Sequence, residues 1–396
     1  MLQTATTTAG AETTSQSRKK RSYISLNGKI FTRMDCIGRG GSCRVYQVMA
    51  ENYKLFALKR VSIADLDPTT VKGYKGEIDL LRRLQNVDRV VRLIDFEVND
   101  EKQTLSVLME IGELDLARIL KVRFEPDSAG HSPPLDPNFA RHYWKEMLEC
   151  VRAVHAHDIV HSDLKPANFL LVQGRLKLID FGIANAIQDD TVNVHRDQTV
   201  GTPNYMAPEA IQDANAAKGL PSSAGKMMKL GKKSDVWSLG CILYQICYGR
   251  PPFAGMKGPV QTIMAITNQA HTIDFPAVGL GGVSVPAGLM QTMRGCLQRD
   301  QTKRPAVDEL LLPTDPWLYP DAAAAAAPTG VSTNGTKGPD GSVEINQETL
   351  DKILRNVVRY CQKTPGGVEE EELREWPRLF MEKLRYTEVE ARTGGD

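Results

Sequence analysis

The chain is poor in the features that would place it outside a cell or in a membrane. It has seven cysteines, an odd number, and no C-x-x-C pair. That leaves no disulfide framework and no zinc-ligand spacing, and the thiols read as reduced groups of an intracellular protein. The opening stretch MLQTATTTAGAETTSQ has no apolar core, so it is not a secretory signal. No apolar run is long enough to cross a bilayer. Net charge is nearly absent too: 49 basic against 48 acidic residues give +1. No global field would draw in nucleic acid or an anionic membrane, and neither is expected as a partner; any such attraction needs a local patch.

What is present is ordinary globular composition, 41% hydrophobic and 24% charged, over 396 residues. That suffices for one large two-lobed domain with tails. Residues 1–22 are Thr-, Ser- and Ala-rich without periodicity and are expected to be disordered. Their basic run, Arg18 to Arg21, is either a nuclear address or a solvated charge run. From Tyr23 short alternating runs predict strands, beginning with an Asn-Gly hairpin in YISLNGKIFTRM. GYKGEIDLLRRL then predicts a helix, and VVRLIDFEVN and TLSVLME predict more strands. After Gly112 the spacing turns helical, in LDLARIL, FARHYWKEMLECVRAVHAH and SDVWSLGCILYQICYG. The last is apolar nearly all round, as a buried central helix would be. Loops are expected at 123–137, 183–206 and 212–233. An Ala- and Gly-rich linker covers 320–344. A helical tail follows at 345–396, its stripe running through Leu350, Ile353, Leu354, Val357, Val358 and Cys361. That tail either docks on its own domain or binds a partner.

Six motifs occur in one order, and each supplies a part that phosphoryl transfer from ATP requires. Ile37, Gly38, Arg39, Gly40, Gly41 and Val45 form a glycine loop whose backbone N–H groups can approach phosphates. Its usual third glycine is Cys43, either a small residue filling the slot or a thiol activated by nearby positive charge. FALK places Ala57 against adenine and Lys59 on the phosphates, with Glu77 as the carboxylate a buried lysine needs. VLMEIG supplies a hinge: Met109 behind the adenine, backbone groups of Glu110 and Ile111 for the purine edge, and Gly112. In HSDLKPANFLL, Asp163 is the candidate proton acceptor, Lys165 the phosphate contact, Asn168 a metal ligand and Leu170 the adenine floor. Asp180 of DFG is the other metal ligand, for Mg²⁺. Glu209 of APE needs a buried cation, for which Arg304 is available, and Asp235 is placed to hold the catalytic-loop backbone. This order predicts an α+β, two-lobed protein kinase fold over 23–319, with an N-lobe at 23–108, a hinge at 109–114 and a C-lobe at 115–319.

Lys165 and Thr202 are serine/threonine-kinase features. Taken with IVHSDLKPANFLLV, LKLIDFGIANAI, VGTPNYMAPEAI and KKSDVWSLGCILYQICYG, the chain resembles the monopolar-spindle, TTK-type dual-specificity protein kinases from about Tyr23 to Trp317. The H-S-D triplet and the missing third glycine are that family's forms. The resemblance implies a mitotic enzyme of the spindle assembly checkpoint, in the nucleus at kinetochores and spindle poles and otherwise in the cytoplasm. It would phosphorylate Ser, Thr and sometimes Tyr of kinetochore and checkpoint proteins, and itself after self-association. Members usually carry a long N-terminal targeting extension; here residues 1–22 precede the domain. Ser162 replaces the arginine that pairs with a phosphorylated loop residue in other kinases. Loop phosphorylation would then act through other bases, such as Arg196, with Thr191, Thr199 and Thr202 as candidate autophosphorylation sites. The alternatives are another serine/threonine kinase that shares H-S-D, or a pseudokinase scaffold.

Overall fold

The structure is a computed structural model and describes residues 22–40, 43–181, 185–186, 192–194, 203–212 and 228–320. The expectations for the N-terminal tail, the linker and the C-terminal helices fall on 1–21 and 321–396, outside the described residues.

The hairpin of β1 (Ser22–Leu26) and β2 (Lys29–Arg39) turns at Asn27 and Gly28, with φ of 49° and 77°. Two successive positive φ values make the tight turn that suits twisted strands, and Asn-Gly tolerates them. β3 (Cys43–Met49), β4 (Leu55–Ser62), β5 (Leu93–Asn99) and β6 (Thr104–Glu110) complete a six-stranded antiparallel sheet. Its order is β1-β2-β3-β4-β6-β5. Ile24, Leu26, Phe31, Val48, Leu58 and Leu108 pack together on the face of the sheet away from the cleft.

The helix read from Gly73 starts earlier: α1 runs Pro68–Arg83. Asp67 caps it, accepting from Thr70 N at 2.9 Å, and Pro68 takes the first turn, where a missing N–H costs nothing. The strand read from Val90 starts later, at Leu93. Val90 and Val91 instead join the lobes: Val91 N donates to Leu178 O at 3.0 Å, and Leu178 N to Arg89 O at 2.8 Å. Arg89 itself is buried and donates to Glu146 and Glu149.

The second lobe is helical. α2 (Leu116–Phe124) is capped by Asp115 and α3 (Pro137–His155) by Asp136. Between them the 123–137 insert is tied down by Leu135, which is buried and donates its N–H to Leu280 O at 2.9 Å. Short strands follow: β7 (Ile159–Val160), β8 (Phe169–Val172), β9 (Arg175–Leu178), β10 (Asn185–Ala186), β11 (Val192–Val194) and β12 (Met228–Leu230). β10 pairs with β7, and β11 with β12. The long loops read from sequence therefore hold short paired strands. The apolar helix α4 (Lys232–Tyr248) is buried along most of its length and ends on Gly249 in the left-handed conformation. α5 (Pro259–Thr267), α6 (Ala287–Cys296) and the short α7 (Val307–Leu310) follow, with α6 packed on α4 and α7 on α3. Among the described residues no helix is long and apolar enough to cross a membrane. The architecture is the α+β, two-lobed arrangement expected from the motifs, and the cleft between the lobes collects all of them but the Glu209–Arg304 pair.

Candidate active site

The upper wall of the cleft is β4 and α1. Lys59 Nζ donates to Glu77 Oε1 and Oε2 at 2.7 and 2.8 Å and lies 3.6 Å from Asp180 Oδ1. Burial alone would lower the Lys59 pKa, but the carboxylates of Glu77 and Asp180 outweigh it and hold the ammonium charged well above its usual range. Burial pushes the Glu77 carboxyl up, with Lys59 pulling against it. The direction that matters for phosphate binding is that of Lys59, which stays cationic.

The glycine loop lies above. Gly38 faces Val45, with room for no more than a tight Cβ contact of 3.3 Å, and Gly40 N donates to Cys43 O at 2.8 Å. Gly41 is outside the described residues. Arg39 pairs with Arg44, and Arg44 with Arg60. Residues directly opposite share a face of the sheet, and Arg60 follows Lys59, so the Arg39 side chain points away from the cleft. Its backbone is the part of Arg39 on the nucleotide side, where the glycine loop offers N–H groups. Cys43 is half-buried, and burial raises its thiol pKa despite Lys59. The activated-thiolate reading fails on direction. Alkylation of Cys43 by iodoacetamide at neutral pH should be slower than that of a free thiol and should accelerate as pH rises, read by mass spectrometry.

At the hinge, Met109 lies opposite Ala57. The N–H of Glu110 already donates to Arg92 O at 3.0 Å. Its carboxylate accepts from Arg92 N at 2.8 Å and from Lys177 Nζ at 2.7 Å. Glu110 can therefore offer a purine its carbonyl but not its N–H. Ile111 is half-buried between Glu110 and Gly112. A Cβ on Gly112 would sit 2.5 Å from Leu170 Cγ and 2.6 Å from Leu171 O, so only glycine lets the hinge approach the floor of the pocket.

The catalytic loop is anchored from below by Asp235 on α4. Its Oδ2 accepts from His161 N at 2.9 Å and lies 2.8 Å from His155 Nε2; its Oδ1 accepts from Ser162 N at 2.9 Å. Asp235 is 1% exposed, so losing these donors would strand a buried charge. His155 sits in a helical run of the sequence, where nothing marks it as a partner of a residue eighty positions on. His161 accepts from Asp163 N at 3.4 Å, faces Ile179 O at 3.2 Å, and its ring lies 5.1 Å from that of buried Phe181. Lys165 Nζ donates to Asp163 Oδ2 at 2.6 Å, and Asn168 Nδ2 to Asp163 O at 2.8 Å. Ser162 and Asp180 hold left-handed φ values of 67° and 65°, strained for residues with a side chain, on either side of this cluster.

Beneath the loop a cavity of about 290 Å³ is lined by Ser162, Asp163, Lys165, Met206, Leu230 and Ser238, among others. Position 162 is part of its lining, so an arginine there would enter this space. Ser162→Arg should retain turnover and gain dependence on activation-segment phosphorylation. A charged hydrogen bond contributes about 1.5–3 kcal/mol, roughly tenfold or more in stimulation. Phosphatase-treated and autophosphorylated enzyme, assayed side by side, would show it.

Glu209 and Arg304 meet in the C-lobe. Arg304 NH1 and NH2 donate to Oε1 and Oε2 at 2.6 and 2.8 Å. Thr191, Thr199, Thr202 and Arg196 lie outside the described residues.

For a metal, the available donors are Asn168 Oδ1 and the Asp180 carboxylate. Among the described residues no three His, Cys, Asp or Glu cluster as a closed metal cage. Two hard oxygen donors in an open site suit a small divalent cation that completes its shell with phosphate and water. Among the described residues a soft or tetrahedral metal finds no ligand set.

The protein kinase domain family matches residues 31–318, and the chain belongs to that family. ATP and a divalent metal are its general requirements. Within the family, the chain is similar to the serine/threonine-protein kinase mph1 of Schizosaccharomyces pombe: 45% identical over 359 residues, covering 86% of this chain and 51% of the relative. Serine/threonine-protein kinase MPS1 of Saccharomyces cerevisiae is 40% identical over 340 residues, 86% of this chain and 43% of that protein. The dual specificity protein kinase TTK of Mus musculus is 42% identical over 296 residues, 74% of this chain and 32% of that protein. The TTK-type resemblance of the motifs is borne out. The chain spans about half, or less, of the length of these relatives.

Proposed function

We propose that this chain is an active protein kinase that transfers the γ-phosphoryl group of Mg·ATP to Ser, Thr and, with dual specificity, Tyr of protein substrates, itself included. The observation that carries the reading is the convergence of Lys59, Glu77 and Asp180 at 2.7–3.6 Å above a catalytic loop whose Asp163 is held on both its backbone and its side chain.

Asp163 takes the proton of the incoming hydroxyl, and Lys165 beside it screens the charge of the transferring group. Lys59 holds the α- and β-phosphates, its ammonium fixed by Glu77. Asn168 and Asp180 would hold Mg²⁺, which when bound neutralises charge on the phosphate oxygens. Ala57, Met109 and Leu170 enclose the adenine. Asp235 keeps the loop in its strained conformation, so the base does not reorganise during transfer.

By resemblance, the substrates are kinetochore and checkpoint proteins, and the enzyme works in the nucleus, at kinetochores and spindle poles. Threonines 191, 199 and 202 are the candidate sites for autophosphorylation in trans. The test is phosphate incorporation into a Met-Glu-Leu-Thr repeat peptide, set against a generic basic protein. Preference for the repeat is expected. Good activity on the basic protein alone would sink the mitotic assignment, and no incorporation into either would sink the kinase reading.

A further inference from the structure

On the side of the sheet away from the cleft, three arginines stand in one row across three strands. Arg39 lies directly opposite Arg44, and Arg44 directly opposite Arg60. Neighbouring strands are about 4.8 Å apart, so the row spans roughly 10 Å. Arg33, on the same face, covers the ring of Tyr46 at 5.4 Å. Like charges directly opposite in a sheet destabilise it. Strands β2, β3 and β4 carry a single carboxylate, Asp35, among these bases. Arg39, Arg44 and Arg60 form no ion pair with a described residue. Glu97, two strands beyond Arg60, is turned to the backbone of Asn27 at 3.2 Å. Among the described residues no carboxylate offsets this row of three guanidinium forks.

We propose that the row is a recognition site for a phosphorylated, acidic protein segment, and that its occupancy tightens the glycine loop. Guanidinium forks bind phosphate oxygens in pairs, and a row of about 10 Å matches one phosphoryl group with a neighbouring carboxylate. A duplex would need a longer basic track. A single strand would need an open aromatic platform, and the Tyr46 ring is already covered by Arg33. Arg39 and Arg44 are the last paired residues of the two loop strands, and Gly40 N to Cys43 O at 2.8 Å closes the turn beyond them. A phosphate bridging Arg39, Arg44 and Arg60 replaces repulsion between β2, β3 and β4 with attraction. The two strands that carry the glycine loop are then drawn together at their ends. This second half rests on the kinase reading; the binding half does not.

The test uses the full chain carrying Asp163→Ala, a short acidic peptide with one phosphoserine, and the same peptide unphosphorylated. Fluorescence anisotropy reads peptide affinity, and a fluorescent ATP analogue reads nucleotide affinity. The phosphopeptide should bind more tightly than its unphosphorylated form, and binding should weaken with salt. The double variant Arg44→Thr with Arg60→Thr should lose about tenfold or more in affinity, the scale of one charged hydrogen bond. Its melting temperature should be unchanged or higher, since repulsion is removed, which rules out misfolding as the cause. In the wild-type background the phosphopeptide should lower the KM for ATP with kcat unchanged, and the double variant should keep basal turnover but lose this response. Equal peptide affinity in the presence and absence of the two arginines would overturn the site, as would arginine-dependent preference for DNA or for anionic vesicles. Binding without a change in nucleotide affinity would overturn the coupling to the loop. Both affinities are read without turnover, so an inactive enzyme would count against the kinase reading alone.

Discussion

Asp163→Ala should abolish phosphate transfer while leaving the fold and nucleotide binding in place. General-base assistance contributes about 10²–10⁴-fold, and a loss on that scale is expected in kcat. The loop should survive the substitution because what fixes it is backbone. Asn168 Nδ2 donates to the carbonyl of Asp163, and Asp235 holds the two residues before it. What disappears is the carboxylate 2.6 Å from Lys165 Nζ. Lys165 then keeps its charge but loses its partner, so it can still meet a phosphate. The measurements are autophosphorylation with radiolabelled ATP and, separately, thermal stabilisation by ATP. Incorporation equal to wild type would remove Asp163 from the mechanism. Loss of both incorporation and ATP stabilisation would show that it holds the fold of the pocket instead. Asp163→Asn separates the two further: it can still accept from Lys165 but cannot take a proton, so it should be as inactive as the alanine.

The site was legible in the sequence where chemistry dictates residue type. A base, a phosphate-binding lysine with its carboxylate, and hard metal donors can be filled by few side chains, so their order along the chain identifies them. Lys59 and Glu77 are eighteen positions apart, and only the alternation of strand and helix between them indicates that they meet. Packing geometry was less legible. The start of α1 lay in Asp67 and Pro68, a capping signal upstream of the apolar pattern that drew attention to Gly73. Glu110 reads as a hinge residue, yet its side chain braces Arg92 and Lys177, contacts that depend on how β5, β6 and β9 are brought together. His155 and Asp235 are linked only through the crossing of α3 over α4. The arginine row depends on register. Irregularities in β2 between Arg33 and Gly38 decide which of its residues face outward, and no alternation pattern reveals them. The choice between the two readings of Cys43 was closed to the sequence for another reason. A neighbouring positive charge and burial act in opposite directions on a thiol, and only the structure shows that burial prevails.

Glu209→Ala should cost about 3–5 kcal/mol of folding stability, because removing one partner of a buried ion pair strands the other. Arg304 is 2% exposed, and its remaining donors are already committed: Nε to Gln298 O at 2.7 Å, NH1 to Lys233 O at 2.9 Å and NH2 to Arg299 O at 3.1 Å. The guanidinium also lies 5.1 Å from the ring of Trp237 on α4. It cannot swing out to water without breaking these contacts. Ser234, which donates to Glu209 at 2.8 Å, loses its acceptor as well. Arg304→Met should cost a similar amount by leaving the Glu209 carboxylate uncompensated. The pair Glu209→Ala with Arg304→Met should recover much of the loss, since neither charge is then buried. Urea unfolding of the four proteins closes the cycle and isolates the coupling between the two groups. Additive losses would mean that the pair does not act as a unit and that the contacts of Arg304 to backbone carbonyls dominate. Activity should follow stability in this series rather than the charge itself, because neither group reaches the cleft. A double variant that refolds to near wild-type stability but stays inactive would instead give the pair a part in catalysis through the segment 203–212 that carries Glu209.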